Sequence, residues 1–370
     1  MNLYTDERIV MTLDAGGTNF VFSAWQSGKE LIEPITFPSN PSNLEACLKI
    51  IIEGFKTIEK ELLPEEPSAI SFAFPGPADY KNGIIGDLPN FPSFRGGVAL
   101  GPMLEDIFDL PTFINNDGDL FTYGEAMGGI LPEINKKLKE KNIDKEYKNL
   151  LGVTLGTGFG GGIVINNQLS TGDNSASGEI WLTRNFKNLG VMAEEGISIR
   201  AIQRSYKEIS GTSTTLHPKE IYDIALGIRK GNQEAAIHTF EKMAEIIGES
   251  LANAITLIDG PIVIGGGIAG ASRLIIPKIV EHLNGIIKNQ KGDELPRLVS
   301  KVYNIDDPDS YENFLNWKST KIKVPFQDKK IIYNSEKKIA LGISRLGTSQ
   351  AVCLGAYAFA LDNLDIKAAL

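Results

Sequence analysis

One pattern occurs twice in this chain: an apolar, partly β-branched run, a glycine-rich turn and a second apolar run. It covers residues 9–25, with the turn at 14–19, and returns at 150–165, with the turn at 156–162. Each copy is the sequence form of a β-hairpin. The repeat predicts two similar lobes that face each other across a cleft, each contributing a turn to the same polyphosphate.

The first turn has the composition of an anion site beside a metal. Gly16 and Gly17 allow successive backbone N–H groups to point into one concavity, and Asp14 ends the strand before them. A carboxylate at that place can hold a divalent cation next to a phosphate. An ordinary tight hairpin is the alternative. A dinucleotide fingerprint or a Walker A loop fits less well, because a β-rich run follows and no lysine does.

Length and charge exclude several classes of protein. A chain of 370 residues predicts two domains, or one unit with two lobes. The net charge of −9 argues against nucleic acid and anionic membranes as partners. No apolar run approaches the roughly 20 residues of a membrane span, and residues 1–8 do not resemble a secretory signal.

Cysteine and histidine usage predicts a cytosolic chain without zinc. Cys47 and Cys353 cannot form a disulfide framework, which fits a reducing compartment. The three histidines are scattered, so no spacing suits a structural zinc site.

The first third of the chain alternates helices and strands. Apolar spacing predicts a helix at 44–63, a buried strand at 70–74, a long functional loop at 79–101, a helix at 100–107 and a strand at 111–114. The polar cluster with Asn116 and Asp117 follows that strand and precedes a helix at 120–127. Open α/β sheets place ligands at such strand ends. Asp117 or Asp119 could instead only cap the helix.

The remainder predicts a mostly helical second part with one further glycine-rich platform. The strand at 261–264 leads to Gly265, Gly266 and Gly267 and a helix capped by Ser272, which suits an anion or nucleotide. The other expectations are an exposed helical excursion at 131–148, helices at 197–206, 218–230 and 233–258, a polar irregular insertion at 289–336 with Trp317 and Phe326 as anchors, and a closing helix at 349–361.

Three glycine-rich anion sites, Asp14 and the Asn116–Asp117 pair make one constellation. It suits phosphoryl transfer from a nucleotide to a hydroxyl, which depends on positioning and charge neutralisation. The transfer also needs a base for the incoming hydroxyl, and Asp117 lies in the right context.

Seven segments in order resemble the ROK family of sugar kinases and their relatives. They are 14–19, 74–77, 88–92, 116–117, 155–158, 178–180 and 263–267, with a weaker match at 355–356. The resemblance implies an α/β, two-lobed actin-like ATPase (ribonuclease H-like) fold with a nucleotide and sugar cleft between the lobes. It implies a smaller lobe at 1–116, completed by a helix at 349–370, and a larger lobe at 117–348.

The resemblance also assigns roles to residues. Asp117 would be the general base, and Asp14 would sit near Mg²⁺, through water. The sugar would be bound by Asn90, Asn116, Asp117 and Glu179. ATP would be held by Gly16, Gly17, Thr18, Asn19, Gly156, Thr157, Gly158, Gly266 and Gly267. A homodimer is usual for the family.

The chain departs from the family at its zinc site. Many members carry a His soon after Gly-Glu-Ile and a Cys-rich cluster, but Trp181 and Leu182 follow here and residues 187–195 contain no Cys. We therefore expect no zinc. A family Glu at the end of that cluster contacts sugar, and Glu194 and Glu195 both remain candidates for it.

The leading interpretation is an ATP-dependent hexose or N-acetylhexosamine kinase, glucokinase-like as a first guess. The alternative is a non-catalytic sugar-sensing regulator, as some ROK relatives are. Only about eight residues precede the first hairpin here, which argues against the DNA-binding segment that those relatives carry. An ATPase of the actin or chaperone type is a third possibility, and the sugar-type segments around Asn90 and Glu179 argue against it.

Overall fold

The computed structural model describes residues 3–16, 18–76, 78–86 and 92–369, without the side chain of Pro92. Two predicted site residues, Gly17 and Asn90, lie outside the described residues. The described helices are α1 (Leu44–Leu62), α2 (Leu100–Phe108), α3 (Asp117–Met127), α4 (Ile130–Glu140), α5 (Ile199–Ser210), α6 (Pro218–Ala225), α7 (Gln233–Ile258), α8 (Ser272–Leu283), α9 (Pro308–Leu315) and α10 (Thr348–Ala369).

The strands carry the two predicted hairpins and several further pairs. They are β1 (Val10–Ala15), β2 (Asn19–Gln26), β3 (Lys29–Glu30), β4 (Ile35–Pro38), β5 (Ala69–Ala73), β6 (Ala78–Asp79), β7 (Ile84–Ile85), β8 (Val98–Ala99), β9 (Thr112–Asn115), β10 (Leu150–Leu155), β11 (Phe159–Ile165), β12 (Gln168–Leu169), β13 (Ile262–Gly265), β14 (Ile286–Lys288), β15 (Glu294–Pro296), β16 (Lys301–Asn304), β17 (Ser319–Lys323), β18 (Lys330–Asn334) and β19 (Lys338–Ile343).

The first sheet has the strand order β3-β2-β1-β5-β9, with β4 also paired to β2. Strands β1, β5 and β9 run parallel, so their carboxyl ends, and the polar residues that follow them, meet at one edge. Helix α1 covers the sheet with its apolar stripe, as its spacing predicts. Gly54 lets the helix approach, because a Cβ there would lie 2.3 Å from the Phe22 ring. Phe22, Phe55 and Phe72 pack edge to face or tilted in this core.

Helices α3 and α10 pack at backbone distance. A Cβ on Gly124 would lie 1.9 Å from the carbonyl oxygen of Ala351, and one on Gly355 would lie 1.9 Å from that of Leu120. Both helices are therefore held in one relative position by reciprocal glycine contacts. Further along α10, the Tyr357 hydroxyl accepts a hydrogen bond from the Ser27 N–H at 3.0 Å.

The second sheet contains the parallel strands β10, β13, β19 and β16 in that order. The long helix α7 packs against α8 and α5 beside them. Strand β11 continues from the turn after β10 and forms an antiparallel pair with β12. The glycine-rich turn at 156–158 therefore lies at the carboxyl end of β10, beside the end of β13.

Internal contacts group the chain into two compact units. Residues 1–129, 161–178 and 345–370 form unit 1, and residues 130–160 and 179–344 form unit 2. The lobes expected from the sequence differ from this grouping, since they place 117–129 and 161–178 in the larger lobe. Within the described part of the chain, no helix has both the length and the apolarity that a bilayer crossing demands.

Several element predictions were wrong in their bounds or type. The segment 289–336 is not irregular, because it contains α9, the sheet strand β16, the whole β17–β18 hairpin and strand β15 of another. Phe326 is no anchor, since its side chain is fully exposed. The excursion at 131–148 is helical only to Glu140, and the helix at 218–230 ends at Ala225. Strand β19, although apolar, was not predicted. Ser272 begins α8, and its N-cap is Ala271.

Candidate functional site

The first glycine-rich turn joins β1 to β2 and is tightly folded. The Gly16 N–H donates to the carbonyl oxygen of Asp14 at 3.2 Å, and a Cβ on Gly16 would lie 2.9 Å from the carbonyl oxygen of Asn19. Thr18 is exposed, and its carbonyl accepts from the Ser39 N–H at 2.9 Å. Backbone contacts thus hold Gly16 and Thr18, and the exposed Thr18 and Asn19 remain accessible.

Asp14 is half-buried near the end of β1. Burial raises the pKa of its carboxyl above the ordinary value, and a hydrogen bond from Ser349 opposes this. Ser349 lies in the first turn of α10, more than 300 residues away in the chain. No local sequence signal could have identified this partner.

The predicted polar cluster lies at the carboxyl end of β9. The Asn115 side-chain oxygen accepts from the Asn116 N–H at 2.8 Å, and the Asn116 side-chain oxygen accepts from the Gly118 N–H at 2.7 Å. Asn116 is therefore the N-cap of α3, and the helix begins at Asp117 rather than at Leu120. The capping role considered for Asp117 or Asp119 belongs to Asn116 as the N-cap, while a carboxylate oxygen of Asp117 accepts from the same Gly118 N–H at 3.0 Å. The Asp117 side chain is exposed.

Gly76 lies beside the same cluster. A Cβ there would be 3.4 Å from the Asn116 side-chain nitrogen and 2.6 Å from the Tyr80 hydroxyl. The Tyr80 hydroxyl donates to the carbonyl oxygen of Phe74 at 2.9 Å. The structure thus brings together the 74–76 segment and Asn116, which belong to two of the segments that resemble the family.

Two glycines of β11 form a platform for the start of α3. A Cβ on Gly118 would lie 2.5 Å from the carbonyl oxygen of Gly161, and one on Gly162 would lie 2.5 Å from that of Gly118. Gly178 contacts the same strand from another direction: its φ is +78°, and a Cβ there would lie 3.0 Å from the Gly161 oxygen. Gly118 follows Asp117 and Gly178 precedes Glu179, so two predicted sugar residues are chain neighbours of one platform.

The second glycine-rich turn, itself part of unit 2, is held by a hydrogen bond at each end. The Phe159 N–H donates to a carboxylate oxygen of Glu194 at 3.0 Å, and the Ile199 N–H donates to the carbonyl oxygen of Gly156 at 3.0 Å. Gly158 packs on the same carboxylate, since a Cβ there would lie 2.5 Å from it. Thr157 is exposed at the tip. The turn is therefore rigid, and its anchors come from residues 35 or more positions away.

The third glycine-rich site lies next to the second. Thr154 of β10 pairs with Gly265 of β13. Gly266 has φ of +87°, and a Cβ there would lie 2.3 Å from the carbonyl oxygen of Leu155. By contrast, a Cβ on Gly156 or Gly267 would meet nothing within 4 Å. Protein packing demands Gly266, whereas it leaves open space at Gly156 and Gly267.

Three acidic residues, Glu179, Glu194 and Glu195, lie in or near the region where many family members carry a Cys-rich cluster. In this chain each of the three has different partners. Glu179 accepts a hydrogen bond from the indole N–H of Trp181. Glu194 holds the second turn, as described above. Glu195 instead pairs with Arg204 at 3.1 Å. Trp181, which stands where the family motif changes, is thus a hydrogen-bond partner of Glu179 that sequence reasoning missed.

The described residues contain no group of three or more His, Cys, Asp or Glu side chains that could hold a metal ion. The absence of zinc remains a prediction, because a metal bound by fewer protein ligands leaves no such group. The region that corresponds to the family's zinc-binding cluster, residues 187–195, and the residues just before it are held by hydrogen bonds. Asn185 is buried, its side-chain oxygen accepts from the Lys187 N–H at 3.0 Å, and its own N–H donates to the Val191 carbonyl at 3.0 Å.

Comparison with known proteins agrees with this geometry. The sequence profile of the ROK family matches residues 10–304. The chain belongs to the ROK family. The predicted family and fold class, α/β of the actin-like ATPase type, are thereby confirmed.

Similar proteins include sugar kinases. A glucokinase from Parabacteroides distasonis, known from a crystal structure, is 54% identical in sequence to this chain. The superposition covers 98% of this chain and 99% of the glucokinase, with a TM-score of 0.89. A Thermotoga maritima glucokinase is 24% identical over 73% of this chain and 87% of its own length. An N-acetyl-D-glucosamine kinase from Vibrio parahaemolyticus is 26% identical over 76% and 94%.

Proposed function

We propose that this chain is an ATP-dependent kinase that phosphorylates a hydroxyl of a hexose or an N-acetylhexosamine, with glucose as the first candidate. The observation that carries the proposal is the platform of Gly161 and Gly162, because the chain neighbours of Asp117 and Glu179 both rest on it. The glucokinase that is 54% identical over nearly the whole chain supports the same reaction class.

Asp117 acts as the general base. Its carboxylate takes the proton from the sugar hydroxyl while that oxygen forms a bond to the γ-phosphorus of ATP and the bond from this phosphorus to the ADP oxygen breaks. The Asn116 side chain is the N-cap of α3, and the Asp117 carboxylate, which also accepts from the Gly118 N–H at 3.0 Å, retains further acceptor sites for a substrate proton. Asn116 and Glu179 would bind the sugar hydroxyls. Asn90, outside the described residues, would do the same.

ATP would contact the open glycines. Gly156 and Gly267 carry no Cβ where the protein leaves room for one, which allows a phosphate or nucleoside to approach the backbone. The remaining nucleotide residues would be Gly16, Gly17, Thr18, Asn19, Thr157, Gly158 and Gly266. Asp14, half-buried beside the first turn, would hold Mg²⁺ through water, and the ion would supply charge neutralisation on the phosphates.

We assign the sugar-contacting acidic role of the family to Glu194 rather than to Glu195. Each carboxylate has an arginine partner, Arg200 for Glu194 at 3.5 Å and Arg204 for Glu195 at 3.1 Å. Of the two, it is Glu194 that contacts the turn that would hold the phosphates. The same carboxylate can accept from the Phe159 N–H and from a sugar hydroxyl, because each carboxylate has several acceptor sites.

A regulator that binds sugar without turning it over is the competing function. Both functions require sugar binding, so only a measurement of phosphate transfer separates them.

Asp117→Asn tests the proposal. Asn is nearly isosteric with Asp and is no base at neutral pH, so sugar affinity should persist while kcat falls by roughly 10²–10⁴-fold. Turnover is measured by coupled assay with a panel of glucose, N-acetylglucosamine, N-acetylmannosamine and fructose, and affinity by calorimetry. Asp106→Asn, an exposed carboxylate on α2, is the matched control and should be silent.

Three outcomes would count against the proposal. A parent chain that binds a sugar of the panel but transfers no phosphate to it would favour the regulator. A kcat within a few-fold of the parent in Asp117→Asn would remove Asp117 from the role of base. Loss of sugar binding in a folded Asp117→Asn would make it a binding residue only.

A further inference from the structure

A pocket of about 350 Å³ in unit 2 has no role in the proposed reaction. It lies between helices α5 and α7, and residues of the segment 185–196 complete its lining. Each helix contributes a stripe of residues spaced three and four apart, which share one face of a helix. The stripe of α5 is Ala201, Arg204, Ser205 and Glu208, and that of α7 is Thr239, Lys242, Met243 and Ile246.

Two charged side chains in this pocket have no ionic partner among the residues that the structure describes. One is the half-buried ammonium group of Lys242 on α7, and the other is the exposed carboxylate of Glu208 on α5. They do not form an ion pair with each other either, although they belong to the lining of the same pocket. The pocket therefore presents one free positive and one free negative charge.

The other charged side chains of the lining are already paired. Lys187 lies 2.5 Å from a carboxylate oxygen of Glu245, and Arg204 lies 3.1 Å from one of Glu195. Neither pair leaves an excess of charge for a ligand to neutralise. An anion would meet only one of the two free groups, and so would a cation, whereas a molecule with both charges meets both.

The uncharged part of the lining suits a compact organic body. Ile202, Met243 and Ile246 are buried and supply apolar contact. The hydroxyl oxygen of Ser205 is buried as well, and it has no hydrogen-bond partner among the described residues. An unsatisfied buried hydroxyl costs free energy, which a polar group of a ligand in the pocket would recover.

We propose that this pocket binds a small zwitterion, with its anionic group at Lys242, its ammonium group at Glu208 and its body against the apolar side chains. An amino acid with an apolar side chain and a phosphorylated amino sugar share this chemistry. A pocket of about 350 Å³ is at the lower end of the range for small-molecule sites and admits either. The binding does not depend on the kinase reaction.

The occupant would also contact the segment that holds the second glycine-rich turn. Glu195 and Gly196 line the pocket, and the residue before them, Glu194, accepts from the Phe159 N–H at 3.0 Å. Gly196 rests on the α7 wall, since a Cβ there would lie 2.4 Å from the Ile246 side chain. A ligand that orders 195–196 should therefore slow the opening of the hydrogen bond to Phe159.

Isothermal titration calorimetry of the full chain tests the site with matched probes. The two zwitterions are L-leucine and glucosamine 6-phosphate, which separate the two sources. Isocaproate and isoamylamine are leucine analogues that keep only the anion or only the cation, and glucose 6-phosphate lacks the ammonium group of the amino sugar. At least one zwitterion should bind. Its single-charge analogues should bind at least about tenfold more weakly, because one of two ionic contacts is lost.

Substitutions assign the binding to this pocket. Lys242→Gln and Glu208→Gln should each weaken binding of that zwitterion at least about tenfold. The matched control is Lys207→Gln, which removes an exposed charge from α5 outside the lining and should leave the affinity unchanged. Hydrogen exchange read by mass spectrometry should be slower at 156–159 when the zwitterion is bound. The Tm of each variant reports that it is folded.

Four results would overturn the proposal. They are a parent chain that binds neither zwitterion at millimolar concentration, a single-charge analogue that binds as tightly as its zwitterion, folded Lys242→Gln and Glu208→Gln chains with parental affinity, and exchange at 156–159 that the bound zwitterion leaves unchanged.

Discussion

Gly156 and Gly266 lie in adjacent turns of unit 2, and alanine should have opposite effects at the two positions. At Gly266 the backbone has φ of +87°, and the new Cβ would lie 2.3 Å from the carbonyl oxygen of Leu155. The conformation costs about 1–3 kcal/mol for an L-residue. The overlap with backbone adds about 1–3 kcal/mol, because neither strand end can move without disturbing the sheet.

The sum for Gly266→Ala, about 2–6 kcal/mol, is a large part of the ~5–15 kcal/mol that stabilises a typical domain. At about 2–4 °C per kcal/mol for a unit of this size, Tm should fall by roughly 5–20 °C. Gly156→Ala meets no atom within 4 Å, so its stability should change by less than ~1 kcal/mol and can even rise.

For catalysis we expect the larger direct effect from Gly156→Ala, the variant that should keep its stability. If ATP approaches the Gly156 backbone, a methyl group displaces the phosphates, and kcat/KM for ATP should fall about 10- to 100-fold in a protein of parental Tm. Calorimetric unfolding and steady-state kinetics measure both quantities on the same preparations. A Gly156→Ala enzyme with parental kinetics would place the nucleotide elsewhere. A Gly266→Ala chain with parental Tm would refute the steric argument.

Three further predictions concern the same site. Trp181→Phe keeps the ring but removes the hydrogen bond to Glu179, so sugar KM should rise severalfold with ATP KM unchanged; equal changes in both would show a general structural effect. Gly267→Ala should raise ATP KM, whereas Gly270→Ala, at a second exposed glycine with open space, should not; identical behaviour would remove Gly267 from the nucleoside contact. Asp14→Ala should weaken use of Mg-ATP while calorimetric sugar affinity without nucleotide survives, and its collapse in a folded variant would refute the placement.

The glycine-rich turns and the amphipathic helix α1 could be predicted because their signals are local. A turn that needs N–H groups in one concavity demands glycines next to each other, and a helix that covers a sheet demands apolar residues every three or four positions. The Asn116–Asp117 site was predictable for a similar reason, since it directly follows a strand. Its exact cap was not, because Asn116 and Asp117 are equally good capping residues by type.

Strand β19 was missed because its neighbours are distant in sequence. It begins with Lys338, which normally indicates an exposed position. Here the side chain is buried and its ammonium donates to the carbonyl oxygens of Asn313 and Asn316, each at 2.7 Å. Gly342 weakens the strand signal further, although a Cβ there would lie 2.9 Å from Ile130 and Ile305. Lys338 and Gly342 are explained only by packing partners that are distant in the sequence.

Glu125 shows the same limit for a buried charge. It is fully buried in α3, and one carboxylate oxygen accepts from the N–H groups of Arg345 and Leu346, each at 3.0 Å. The pattern of the helix predicts only that an apolar residue belongs there. A carboxylate is stable at that position because it satisfies backbone donors more than 200 residues away.

The glycines of segment 156–162 fall into two groups according to the atoms that surround them. Gly156 faces open space, whereas the backbone of Gly161 and Gly162 lies directly against Gly118 of α3 and Gly178, the residue before Glu179. The two kinds lie a few residues apart on one continuous stretch of chain. Under the proposed function, β11 would therefore join the turn that holds the phosphates to the glycines against which the start of α3, and with it the proposed base Asp117, is packed. The two proposed roles would demand glycine for different reasons, an open backbone at Gly156 and a close backbone contact at Gly162.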